Sequence, residues 1–124
     1  MSGAVPNAAR VLLAGVRIVN GTVSLVAPGT FAKRLGVEPE SNGPALYALR
    51  LFGVRTVLIG LELLSSNPEV RGRAVRDALP IHLSDALSAV AAGASGQLPA
   101  KGAKAAVVTS TVNTALALLV RRAT

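Results

Sequence analysis

Proline, asparagine and glycine cut this chain of 124 residues into four long apolar stretches. That punctuation constrains the fold more than any other feature, because the breaks carry the chemistry of helix ends. Pro6-Asn7 precedes an apolar stretch that reaches Ala27, and Asn7 is a suitable N-cap for it. Pro28-Gly29 ends the stretch. A short segment, 30–35, follows and stops at Gly36, a residue suited to the left-handed position just past a helix. Residues 37–43 (VEPESNG) read as a loop. Pro44 stands at the first helical position of the second stretch, where its missing N–H costs nothing. Ser65-Ser66-Asn67-Pro68-Glu69 is the clearest start: Asn67 caps, Pro68 takes the first position, and Glu69 favours the positive end of the helix dipole. Pro80 lies inside the third stretch and is expected to kink or break it. Residues 93–102 (GASGQLPAKG) read as a loop before the last stretch.

These boundaries predict an all-α chain forming one domain over 1–124, with helices at about 8–27, 44–64, 68–92 and 103–122. The expected architecture is a four-helix up-down bundle, transmembrane, with a short interfacial helix over 30–35 after the first helix. A strand competes only in the last stretch, where Val107, Val108, Thr109, Thr111, Val112 and Thr114 are β-branched.

Composition removes several classes. Hydrophobic residues make up 51%, too many for a disordered chain. With no cysteine and one histidine, His82, the chain has no disulfide framework, thiolate metal site, cysteine nucleophile or multi-histidine metal site. No P-loop or dinucleotide-binding spacing is present, and no serine sits in a nucleophile motif. Enzyme activity, a cofactor and a metal are therefore not expected. The net charge of +7 invites a nucleic-acid reading, but the cations are scattered and aromatic residues amount to 2%, which leaves little for base stacking. A short basic loop such as Arg71-Gly72-Arg73 suits anionic lipid head groups instead.

The choice between a soluble and a membrane bundle turns on polar faces. A soluble helix shows a charged face. Yet no charge occurs over 18–32 or 105–120, where the polar residues are Thr, Ser and Asn. Such groups bond to helix backbones or across helices in lipid. Small residues also recur at packing intervals: Gly53 with Gly60, then Ala86, Ala89 and Gly93, then Ala106, Ser110 and Ala117. Against this, the run 105–120 spans only about 24 Å as helix, and no aromatic belt is present. The balance favours the bilayer. Arg17 and Pro28 argue against a cleaved signal peptide. With four spans, Arg10, Arg71, Arg73, Arg76, Arg121 and Arg122 share one side, and Lys33, Arg34, Lys101 and Lys104 the other. That asymmetry places both termini in the cytoplasm of a multi-pass cell-membrane protein.

Ionisable and amide groups inside the apolar stretches are the candidate site: Arg17, Arg55, Glu62, His82, Asp85 and Asn113. Charge inside a membrane is costly and is normally paired. Arg17 and Arg55 against Glu62 and Asp85 would make a neutral buried network, with planar guanidinium groups suited to carboxylates. His82 and Asp85, three positions apart, are helical neighbours. A structural network that fixes helix pairing is the leading expectation, ahead of a transport or proton-relay role.

The segment 45–60, ALYALRLFGVRTVLIG, resembles a family of small four-helix predicted membrane proteins of unknown function from actinobacteria. Arg17 with Gly21, the Ala27-Pro28 ending, and Asp77 and Asp85 in the third helix fit the same pattern. The last helix departs from it by its Thr, Ser and Asn content. The resemblance implies the fold and brings no activity or site. The expected function is that of a small integral membrane protein acting by interaction with lipid, a second copy or another membrane protein. A carrier or channel using the buried Arg, Glu and Asp residues is the first alternative. A soluble or peripheral basic bundle is the second.

Overall fold

The computed structural model describes residues 3–121. Among them are five α-helices: α1 (Ala4–Val26), α2 (Pro28–Arg34), α3 (Gly43–Leu63), α4 (Pro68–Ala94) and α5 (Ala100–Arg121). A 3-10 turn, Pro39–Ser41, precedes α3, and no strand occurs among the described residues. The four long helices measure about 31–41 Å at 1.5 Å per residue.

Local chemistry explains most helix ends. Asn67 accepts from the backbone N–H groups of Glu69 (2.9 Å) and Val70 (3.3 Å), and Asn42 caps α3 through Ala45 (3.3 Å). Gly36 adopts φ +75° after α2. Its N–H donates to Lys33 O (3.0 Å) and that of Val37 to Ala32 O (2.9 Å), which together form a Schellman motif.

Two expectations need correction, and one competing possibility falls away. Asn7 is not a cap: α1 begins at Ala4, and the Asn7 N–H already donates to Gly3 O at 2.9 Å. Pro6 is accommodated because first-turn N–H groups have no intrahelical acceptor. Pro80 does not break α4, which continues to Ala94. Burial of Ala74, Val75, Ala78, His82 and Ala89 along that helix holds it through the one backbone bond proline cannot make. The β-branched last stretch is helical from Ala100, and Thr114 Oγ1 bonds back to Ser110 O at 2.7 Å. Arg122, the expected end of that helix, lies outside the described residues.

Capping chemistry gives a direct test. Asn67→Ala should cost about 1 kcal/mol through the lost bonds to the first turn of α4. Asn7→Ala should cost nothing, since that side chain caps no helix and alanine favours the helix interior. Thermal unfolding followed by circular dichroism separates the two, and equal effects would refute the assignment.

The most extensive helix pair is α1 with α3. Glycine brings the two backbones together: a Cβ on Gly21 would lie 2.8 Å from Gly53 O, and one on Gly60 3.0 Å from Ala14 O. The pair is antiparallel, since Ser24 Oγ donates to Leu49 O (2.5 Å) near one end and Arg10 Nη1 to Leu63 O (2.6 Å) near the other. The second bond satisfies a carbonyl that the end of α3 would leave bare, and it sets a cation at the negative end of the helix dipole. Next in extent is α4 with α5, which approach closely where Gly93 faces Ala103.

The molecule has two dissimilar ends. At the end holding the start of α1 and the end of α5, Leu13, Leu63, Val75 and Val120 pack with Ala9, Ala14, Ala78 and Ala117 in an apolar core. Toward the other end, where α2 lies, packing is looser and a cavity opens.

Candidate functional site

Polar residues divide the core from the cavity. Arg17 (α1), Thr56 (α3), His82 (α4) and Asn113 (α5) are buried, each close to the middle of its helix. Arg17 is 3% exposed, an unusual setting for a group that always carries charge. Its Nη1 lies 3.6 Å from Asp85 Oδ2 and 3.5 Å from His82 Nδ1. Both contacts are long for charge-assisted bonds, which lie near 2.8 Å. The other two guanidinium nitrogens, Nε and Nη2, have no partner. Thr56 Oγ1, His82 Nε2 and Asn113 Oδ1 are likewise buried and unpartnered.

Arg17, Thr56 and Asn113 line a cavity of about 460 Å³, to which all five helices contribute. Its other wall is apolar. Phe31 of α2 and Phe52 of α3 meet with tilted rings, 5.9 Å between centroids, and line it together with Leu35 and Leu98. Arg34, on α2, is the second cation on the lining, and Asp85 the one acid. The close packing of α2 makes this wall. A Cβ on Gly102 would meet the Leu35 carbonyl, so glycine there lets α5 run against the end of α2.

Of the six sequence candidates, Arg17, His82 and Asp85 come together, and Asn113 joins them on the cavity side. The four-charge network does not assemble. Arg55 is exposed on α3, Glu62 is half-buried, and neither forms an ion pair among the described residues. The reason is rotational: Gly53, Thr56, Gly60 and Leu63 turn to α1, which carries Arg55 outward. Sequence reasoning missed Thr56 and Ser24. Their signal was spacing, since Thr56 lies between Gly53 and Gly60 on the small-residue stripe and Ser24 lies one turn beyond Gly21. The Phe31–Phe52 pair has no local signal, because α2 and α3 are joined by an irregular connection.

Among the described residues no three His, Cys, Asp or Glu side chains are placed to hold a metal ion. Comparison with protein-family models, curated proteins and solved structures finds no match to this chain.

Proposed function

We propose that this is an integral membrane protein whose four long helices span the bilayer as an up-down bundle and bind a small solute in the partly open cavity between them. One observation carries the reading: every long helix exposes large apolar side chains while a charge and polar groups are buried at mid-helix. Val19 on α1, Leu51 on α3, Leu87 on α4 and Val108 on α5 are each more than half exposed, while Arg17, His82 and Asn113 are buried. In water this arrangement is unfavourable twice over, since apolar area stays wet and a charge loses its hydration. In a bilayer the exposed side chains face hydrocarbon, and the interior is the favourable place for the polar ones.

Helices α1 and α5 are long and apolar enough to cross a membrane. In α4 the charges gather at Glu69, Arg71, Arg73, Arg76 and Asp77, which leaves Asp85 the one charge over 78–94. That remainder is about 25 Å of helix, near the hydrocarbon thickness. Helix α2, with Lys33 and Arg34 exposed, suits the interface. The positive charge near both termini and the 65–67 connection orients that side to the cytoplasm.

A second reading, action by association within the bilayer, is favoured by Arg55, which is exposed near the middle of α3 without an ion pair among the described residues. A partner helix with a carboxylate would cover it.

The absence of cysteine makes the test clean. The protein should remain in the membrane pellet through high salt and alkaline washing and leave it only in detergent. Single cysteines at Ser66 should label with an impermeant maleimide from the cytoplasmic side, and those at Ser41 and Ser95 from the opposite side. Release by salt or alkali, or labelling of all three from one side, overturns the four spans. In the same series, oxidative cross-linking through Leu58→Cys, on the exposed face of α3, reports a second copy there; its absence removes homo-oligomerisation through that face.

A further inference from the structure

We propose that the cavity binds a monocarboxylate with an apolar body, its carboxylate held on the Nε–Nη2 edge of Arg17. The proposal rests on the reading of the cavity as a binding site and adds the chemistry of its occupant.

Four observations point there. First, the guanidinium presents two N–H-bearing atoms on one edge, and that edge is the part of Arg17 left without a partner. Two parallel N–H donors match the two oxygens of a carboxylate. Second, charge decides the valence. Buried Arg17 and the exposed Arg34 against Asp85 leave the lining one positive charge in excess, which suits a monoanion. A phosphate dianion would overshoot it beside the Asp85 carboxylate, which already sits 3.6 Å from Arg17. Third, Thr56 and Asn113 belong to the same lining, and their buried Oγ1 and Oδ1 atoms also lack partners. The hydroxyl can donate to a carboxylate oxygen, and the amide oxygen suits a hydroxyl or a water carried in with the ligand. Fourth, although Asn20, Ser88, Thr109 and Ser110 also reach the cavity, most of its surface is apolar, with Phe31, Phe52, Leu35 and Leu98 placed to receive a hydrocarbon or aromatic body. The arrangement is that of a typical small-molecule site, an apolar cleft with a few convergent polar groups.

The chemistry has two sources, a free aromatic or aliphatic acid and a fatty acid from the bilayer. Native mass spectrometry of the protein purified from membranes reads the second as a retained long-chain acid. Titration of the detergent-purified protein with 3-phenylpropionate, followed by calorimetry, reads the first. The matched neutral compound is 3-phenylpropan-1-ol.

The acid should bind at least tenfold more tightly than the alcohol, or a fatty acid should be found already bound and be displaced by the short acid. Arg17→Lys, which keeps the charge and loses the fork, should weaken acid binding at least tenfold. Ala106→Phe, which leaves Arg17 untouched and fills the cavity from α5, should abolish it without lowering the melting temperature. Equal affinity for alcohol and acid overturns the carboxylate assignment while the cavity still binds. Acid binding that survives Ala106→Phe overturns the location. No binding of acid or alcohol, with no retained fatty acid, overturns the ligand class; the cysteine labelling tests the spans independently of all these outcomes.

Discussion

Gly53→Leu is expected to separate α1 from α3 and prevent the protein from folding. A Cβ at Gly53 would lie 2.7 Å from both Gly21 O and Leu25 N and 3.0 Å from Leu25 Cα. All three are backbone atoms, so no side chain can rotate away and relief requires the helices to part. Overpacking that a core can absorb costs about 1–3 kcal/mol. A clash against backbone should exceed that and remove a large share of a typical stability of about 5–15 kcal/mol. Separation would also break the Ser24–Leu49 and Arg10–Leu63 bonds, since both cross the same interface. Gly15 supplies the control. It sits on α1, the partner helix, with nothing within 4 Å of its Cβ position, so Gly15→Leu should be tolerated and favour the helix by up to about 1 kcal/mol. Thermal unfolding in detergent and protease resistance read both variants. Similar melting temperatures for the two would refute the close approach of α1 and α3.

The second large effect concerns Arg17 and its partner. Asp85→Leu leaves the buried guanidinium with His82 Nδ1, at 3.5 Å, as its one neighbour. Stranding a buried charge costs about 3–5 kcal/mol. Because the Asp85 side chain is 35% exposed, solvent screens part of the pair and the loss should fall nearer about 2–3 kcal/mol. Replacing both residues, Arg17→Met with Asp85→Leu, removes charge and counter-charge together and should return stability to within about 1 kcal/mol of the parent. A thermal-unfolding cycle of the two single variants and the double gives the coupling directly. If the double variant is less stable than Asp85→Leu alone, the charges are needed for the fold itself and a ligand is not required to explain Arg17. If it is restored, stability does not account for keeping a charge at this depth, and the binding reading gains.

The polar layer places two demands on one set of residues. Unpartnered N–H and O groups at Arg17, Thr56, His82 and Asn113 weaken the fold, since each buried polar group without a bond costs about 1–3 kcal/mol. The apolar end of the molecule, with Leu13 and Leu63 fully buried, is free of that cost. The two ends thus differ in kind: an apolar one that holds the helices together and a polar layer beside the cavity.

Helix boundaries were legible where the signal is local. Asn67, Pro68 and Gly36 act through atoms within a few residues of themselves, so their chemistry is visible in the string of letters. Asn7 misled because Gly3 and Ala4 could start the helix one turn earlier, and an exposed asparagine fits either place. The small-residue stripe of Gly53 and Gly60 was also legible, since helical periodicity alone sets which residues share a face. Which stripe meets which was not. Helix pairing depends on rotation and register between segments far apart in the chain, and no single segment encodes either. So the sequence by itself determined the helices, their apolar character and the set of polar residues within them. Only the tertiary structure decided that Arg17 meets Asp85 and His82, that Arg55 turns outward, and that Thr56, Asn113 and the two phenylalanines close around one cavity, because packing the glycine faces of α1 and α3 fixes the rotation of every side chain on both helices.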